Sequence, residues 1–207
     1  MPGRENQKQR TRTALIEAYI ELVREGESPS VAEVAEAAQV SVATAYRYFP
    51  NTRSLQADAS VAPRHNMPDY DAVLAAAGDD PLVRIEALVR SIATWQFGDE
   101  AVWRRVQQAT LERWFAQVDH GGLDDRGQVE EPIRSSARKD VVSQALSPLE
   151  PRLSTADFQR LVSAVIMTCG VEALISTRDA AQLSPAEATE TMVWAARALV
   201  TQAMHSL

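Results

Sequence analysis

Residues 30–50 constrain the fold more than any other stretch. They hold two short helices, each opened by a serine, with only Gln39 and Val40 breaking the run between them. Ser30 can accept from the free N–H groups of a first turn. Glu33, three residues on, can reach back to the Ser30 N–H, which makes a capping box. Val31, Val34, Ala35 and Ala38 recur at helical spacing and give one apolar face. Ser41 opens a second helix with Ala45, Tyr48 and Phe49 on its inner side. Pro50 stops that helix, because it lacks an N–H and disfavours helical geometry in the residue before it. So short a turn makes the helices cross steeply. This is the arrangement of a helix-turn-helix, whose second helix enters the DNA major groove.

The rest of the chain reads as helix, and no segment alternates as a strand does. A first helix is expected from about Gln7 to Arg24, with Ala14, Leu15, Ala18, Tyr19, Leu22 and Val23 inward and Gly26 and Pro29 ending it. A fourth helix starts near Asn51 or Thr52, and Pro63 and Pro68 interrupt it. A short helix over 69–77 precedes a long one opened by Pro81, and Asp99 caps another running to about Val118. Helical spacing resumes from Pro132 to Leu146, and Pro148 and Pro151 break it. Ser154 or Thr155 caps a long helix to about Thr177, and Ser184 with Glu187 forms a capping box for a last helix to about Ser206. These two final helices are apolar on more than one side, so each needs more than one partner surface. They either fill a monomeric core or pair with a second copy as a four-helix bundle.

The net charge of −7 argues at first against a nucleic-acid partner, but its distribution matters. Residues 1–12 carry a net +3 from Arg4, Lys8, Arg10 and Arg12 against Glu5, whereas residues 61–207 carry a net −6. Modest non-specific affinity and a strongly salt-dependent specific complex are expected. The polar, basic beginning of the chain is unlike a secretory signal, and no apolar run approaches the ~20 residues of a bilayer span. The lone cysteine, Cys169, excludes an intrachain disulfide, and a reducing, cytoplasmic location is expected. His65, His120 and His205 lack metal-ligand spacing, and no phosphate loop or nucleophile–base motif is present. No cofactor and no enzymatic activity are expected.

On the second short helix the outward positions are Val42, Ala43, Thr44, Tyr46 and Arg47. Val42 and Ala43 offer apolar contact to thymine methyls, Thr44 can bond a base or a phosphate, and Arg47 can read guanine with two bonds. Ser30 and Thr52 sit at helix starts, where backbone N–H groups favour phosphate. Arg10 and Arg12 are expected to add phosphate or minor-groove contacts.

The run Ala37-Ala38-Gln39-Val40-Ser41-Val42-Ala43-Thr44-Ala45-Tyr46-Arg47-Tyr48-Phe49-Pro50, with Leu55 beyond it, resembles the signature of TetR-family transcriptional repressors. Gln39 stands where that family usually has glycine, at a point where the backbone often takes positive φ. Thr52 stands where a lysine is common, and Arg53 replaces it only in part. The resemblance implies that Thr44 and Tyr46 contact DNA and that the Tyr48 hydroxyl reaches a phosphate. It also implies that the last two helices dimerise and that the C-terminal helices hold a ligand pocket. Trp103, Gln107, Thr110 and Trp114 share one helical face suited to an aromatic-lined pocket, which Trp95, Phe97, Met167 and Cys169 are expected to join.

The expected architecture is therefore all-α. A helix-turn-helix DNA-binding domain spans 1–55, and a helical ligand-binding and dimerisation domain spans 56–207. The expected function is a homodimeric repressor on a near-palindromic operator, released by a small, mainly apolar effector. A helical scaffold without a ligand and an all-helical enzyme stand beside it as alternatives.

Overall fold

The computed structural model describes residues 2–61, 67–119, 121–129 and 133–205. Its regular elements are all helical. The one other pairing among the described residues is an isolated antiparallel bridge between Leu123 and Val129. The break expected at Pro63 and the histidines His65 and His120 lie outside the described residues, while His205 is exposed. Among the described residues no single helix is long and apolar enough to cross a membrane. The chain forms two compact units, one of residues 1–64 with 99–133 and the other of residues 65–98 with 134–207.

The first unit contains α1 (Pro2–Arg24), α2 (Val31–Ala37), α3 (Val42–Tyr48), α4 (Thr52–Val61) and α7 (Glu100–Asp119). Leu15, Tyr19 and Val23 of α1 meet Val31, Val34 and Ala35 of α2, Ala45 of α3, Phe49, and Leu55 of α4 in one core, which Val102 of α7 joins. The first helix thus begins earlier than Gln7, and it ends as its sequence dictates. Gly26 takes φ +89°, and the N–H groups of Gly26 and Glu27 return to the carbonyls of Val23 and Leu22. The Arg24 guanidinium forks onto both carboxylate oxygens of Asp99, at 2.7 and 2.9 Å, and so ties α1 to the start of α7.

The second unit contains α5 (Tyr70–Ala77), α6 (Pro81–Gly98), α8 (Ala137–Leu146), a 3-10 turn (Ser147–Arg152), α9 (Thr155–Met167), α10 (Val171–Ile175), a π-helical turn (Ser176–Ala180) and α11 (Pro185–His205). Its core stripe on α6 is Ile85, Leu88, Val89, Ile92 and Ala93, packed with Val162 and Val165 of α9 and Met192, Ala196 and Val200 of α11. Arg84 satisfies carbonyls that helix ends leave open: it donates to Ala145 and Gln144 near the end of α8 and to Gly78 beyond α5, at 2.8–2.9 Å. An alternating chain of Glu190, Arg90, Glu86 and Arg197 bridges α6 and α11. The arginines Arg90 and Arg197 hold the Glu86 carboxyl below its usual range.

Two further helices depart from expectation. Helix α8 starts at Ala137, not Pro132. The helix expected to run from Ser154 to Thr177 ends at Met167 and resumes as α10 after a bend of 44°. Gly170 causes the break. It takes φ +104° and ψ −178°, a conformation almost confined to glycine. The Arg138 guanidinium lies 1.6 Å from the place a Cβ would occupy there. Arg138 donates to the Cys169 carbonyl at 3.1 Å and to the Glu172 carboxylate at 2.8 Å, so α8 pins the bend.

Candidate nucleic-acid interface

The α2–α3 turn is built from local chemistry. Ser30 Oγ accepts from the Glu33 N–H at 3.3 Å, while Glu33 accepts from both the N–H and the hydroxyl of Ser30 at 2.7 Å. These bonds hold the Glu33 carboxyl below its usual range, the Ser30 N–H being the larger cause. Helix α2 closes with a Schellman motif: the Val40 N–H donates to Ala35 and the Gln39 N–H to Glu36, at 2.9 and 3.0 Å. Gln39 occupies its left-handed position, with φ +55°. Ser41 then caps α3 by accepting from the Thr44 N–H and donates its own hydroxyl to Thr44 Oγ1 at 2.8 Å.

Helix α3 keeps Ala45 buried and presents Val42, Ala43, Tyr46 and Arg47 outward. Val42 is 46% exposed and Tyr46 45%. Thr44 is half-buried, with its hydroxyl proton free for a further acceptor. Tyr48 is half-buried against the core of its unit. Arg47 is exposed and makes no ion pair among the described residues.

The other expected contact residues differ in how they are engaged. Arg10 is exposed on α1. Arg12 is held by Asp58 of α4 and lies over the Phe49 ring, 5.9 Å from its centroid. Arg53 pairs with Glu112 of α7 at 3.2 Å. The Ser30 N–H is committed to Glu33, so a carboxylate already occupies the N-terminus of α2. At α4 the cap is Asn51, whose Oδ1 accepts from the Ser54 N–H at 2.9 Å, and Thr52 stands half-buried behind it. The carboxylates of Asp58 and Glu112 carry no local signal in the sequence, because their partners lie tens of residues away.

The expected effector residues fall on both units. On α7, Trp103 and Gln107 are half-buried, Thr110 is buried with its hydroxyl donated to the Val106 carbonyl at 2.8 Å, and Trp114 is exposed edge-on to Phe115. In the second unit Trp95 is half-buried, Cys169 is buried and Met167 is 74% exposed, so Met167 and Cys169 do not share a surface. Burial pushes the Cys169 thiol up to about 11. A residue the sequence did not single out is Gln96, which continues the α6 core stripe. It is 4% exposed, and its Oε1 has no hydrogen-bond partner among the described residues.

No model of a known protein family matches the chain, and no curated protein matches it by sequence. A solved structure does match. It is a TetR transcriptional regulator from Rhodococcus sp. RHA1, superposing with a TM-score of 0.55 at 18% identity over 94% of this chain and 98% of that one. The fold is TetR-like.

Proposed function

We propose that this TetR-like chain is a DNA-binding transcriptional repressor, acting as a homodimer on a near-palindromic operator and released by a small, mainly apolar effector. The observation that carries the reading is the outward face of α3, where Val42, Ala43, Tyr46 and Arg47, which makes no ion pair among the described residues, stand exposed behind a capped turn. Arg47 has the planar fork that reads guanine N7 and O6, and the two small apolar residues fit thymine methyls. Tyr46 and Thr44 supply the remaining polar contacts, and Arg10 supplies phosphate contact. Two copies of α3 would enter successive major grooves roughly 34 Å apart. The second copy packs through α9 and α11, whose Met167 and Trp194 are 74% and 72% exposed. Gln96 supports effector control: a buried carbonyl without a donor among the described residues suits a ligand that brings a hydroxyl or N–H. A ligand favouring a spacing of the two α3 helices that DNA does not fit would release the operator by population shift.

Selection of duplexes from a random pool tests this directly. The unaltered chain is expected to enrich a two-fold symmetric sequence. Tyr46→Ala and Arg47→Ala are each expected to abolish that binding while melting temperature and oligomeric state stay unchanged. Retained specific binding in both variants would overturn α3 as the reading helix. The same selected duplex, challenged with a small-molecule library, tests effector release.

A further inference from the structure

We propose that Arg12 positions the recognition helix α3 and is not a phosphate ligand, an inference that rests on the DNA-binding reading above. Arg12 sits on α1 in the basic N-terminal stretch, where its charge alone points to DNA. Its guanidinium is already engaged on two sides. Nε donates to Asp58 Oδ2 at 2.8 Å, and Nη2 donates to the same oxygen. The flat guanidinium carbon lies 5.9 Å from the centre of the Phe49 ring. Such a placement over an aromatic face is attractive, and Arg suits it better than Lys.

The three residues join three elements. Phe49 is the C-cap of α3, 2% exposed, with its N–H donating to the Ala45 carbonyl at 2.9 Å. Asp58 belongs to α4, between the buried Leu55 and Ala59. Arg12 therefore seals the ring that terminates α3 against the α1–α4 pair. Helix α3 has seven residues, so its direction is sensitive to how its last turn is seated. Arg10, two residues earlier, is exposed and makes no ion pair among the described residues, as is true of Lys8, so cations of this stretch remain for phosphate.

The two roles give opposite signatures in salt. A phosphate ligand releases counterions, so its removal flattens the plot of log K against log salt by about 0.9 per contact. A positioning residue changes affinity and leaves that slope alone. The experiment uses the full chain and a duplex that the unaltered protein has enriched from a random pool. Affinity is measured across a salt series for Arg12→Ala, Arg12→Lys and Asp58→Asn, with melting curves as the folding control. All three variants are expected to bind about three- to tenfold more weakly with the slope unchanged, since each breaks the same seal. The proposal is overturned if Arg12→Ala flattens the slope, if Arg12→Lys binds as the unaltered chain does, or if Asp58→Asn binds more tightly by freeing a cation. Should the alanine variant unfold, Arg12→Lys and Asp58→Asn decide the matter by themselves. An unaltered chain that enriches no duplex overturns the DNA-binding reading, and this inference with it.

Discussion

Gln39 holds the left-handed position of the α2–α3 turn at φ +55°, where a side chain costs about 1 kcal/mol relative to glycine. The backbone holds that strain because the two Schellman bonds and the packing of the half-buried Val40 against the core overdetermine the turn. At the same scale, Cys169 and Tyr70 mark where burial opposes ionisation. Burial raises the Cys169 thiol from its usual 9.0 to about 11. It raises the Tyr70 phenol from 10.0 to about 12, with the nearby Cys169 as a second cause. Both groups are favoured neutral in the fold, whereas the unfolded chain ionises them earlier. Their contribution is therefore fully present below pH 9 and is lost between pH 9 and 11 for Cys169, and between pH 10 and 12 for Tyr70. For the buried thiol the loss is about 1.4 kcal/mol per pH unit inside its window; the phenol, partly solvated, contributes less. Urea unfolding at pH 8 and pH 10.5 should show this fall, and Cys169→Ala should make it shallower. An equal slope in the variant would remove the thiol from the account.

Helix starts follow from side chains within four residues. The caps at Ser30, Ser41, Ser154 and Ser184 form where the sequence places them, and Asp69 caps α5 by accepting from the Ala72 N–H. The break between α9 and α10 shows the limit of such rules. Apolar spacing continues across residues 168–170, so periodicity alone extends α9 to Thr177. Arg138, more than thirty residues away, occupies the space beside Gly170 and takes the Cys169 carbonyl. Gly170→Ala is expected to destabilise the protein by about 2–3 kcal/mol, from the left-handed backbone and the clash together. Urea denaturation measures it. Arg138→Ala in the same background should recover part of the loss, because the clashing group is then gone. No recovery would mean that backbone strain alone accounts for it.

At the scale of the molecule the proposed dimer is the element with the most consequence. Trp194 on α11 is 72% exposed, so changing it leaves the core of its unit intact. Tryptophan is the residue type most often dominant in interfaces, worth about 2–4 kcal/mol on truncation. Trp194→Glu should weaken self-association by a factor of about 30 or more, read by sedimentation, with the helical circular dichroism retained. An unchanged dimer would place the interface elsewhere. Loss of the dimer should also remove two-site operator binding, because a single α3 reads only one half-site.

The chain by itself determined the all-α class, the capped α2–α3 pair and the outward residues Val42, Ala43, Tyr46 and Arg47, whereas Thr44, expected among them, is half-buried. Those features depend on hydrogen bonds and periodicity acting over one or two helical turns, and such interactions are written in neighbouring residues. Tertiary structure alone decided that Arg12 answers to Asp58, that Arg53 answers to Glu112, that α9 bends at Gly170, and that Met167 faces away from Cys169. Each of these rests on groups brought together by packing across tens of residues or on which side of a helix a core covers. Charge and spacing in the sequence do not encode either one.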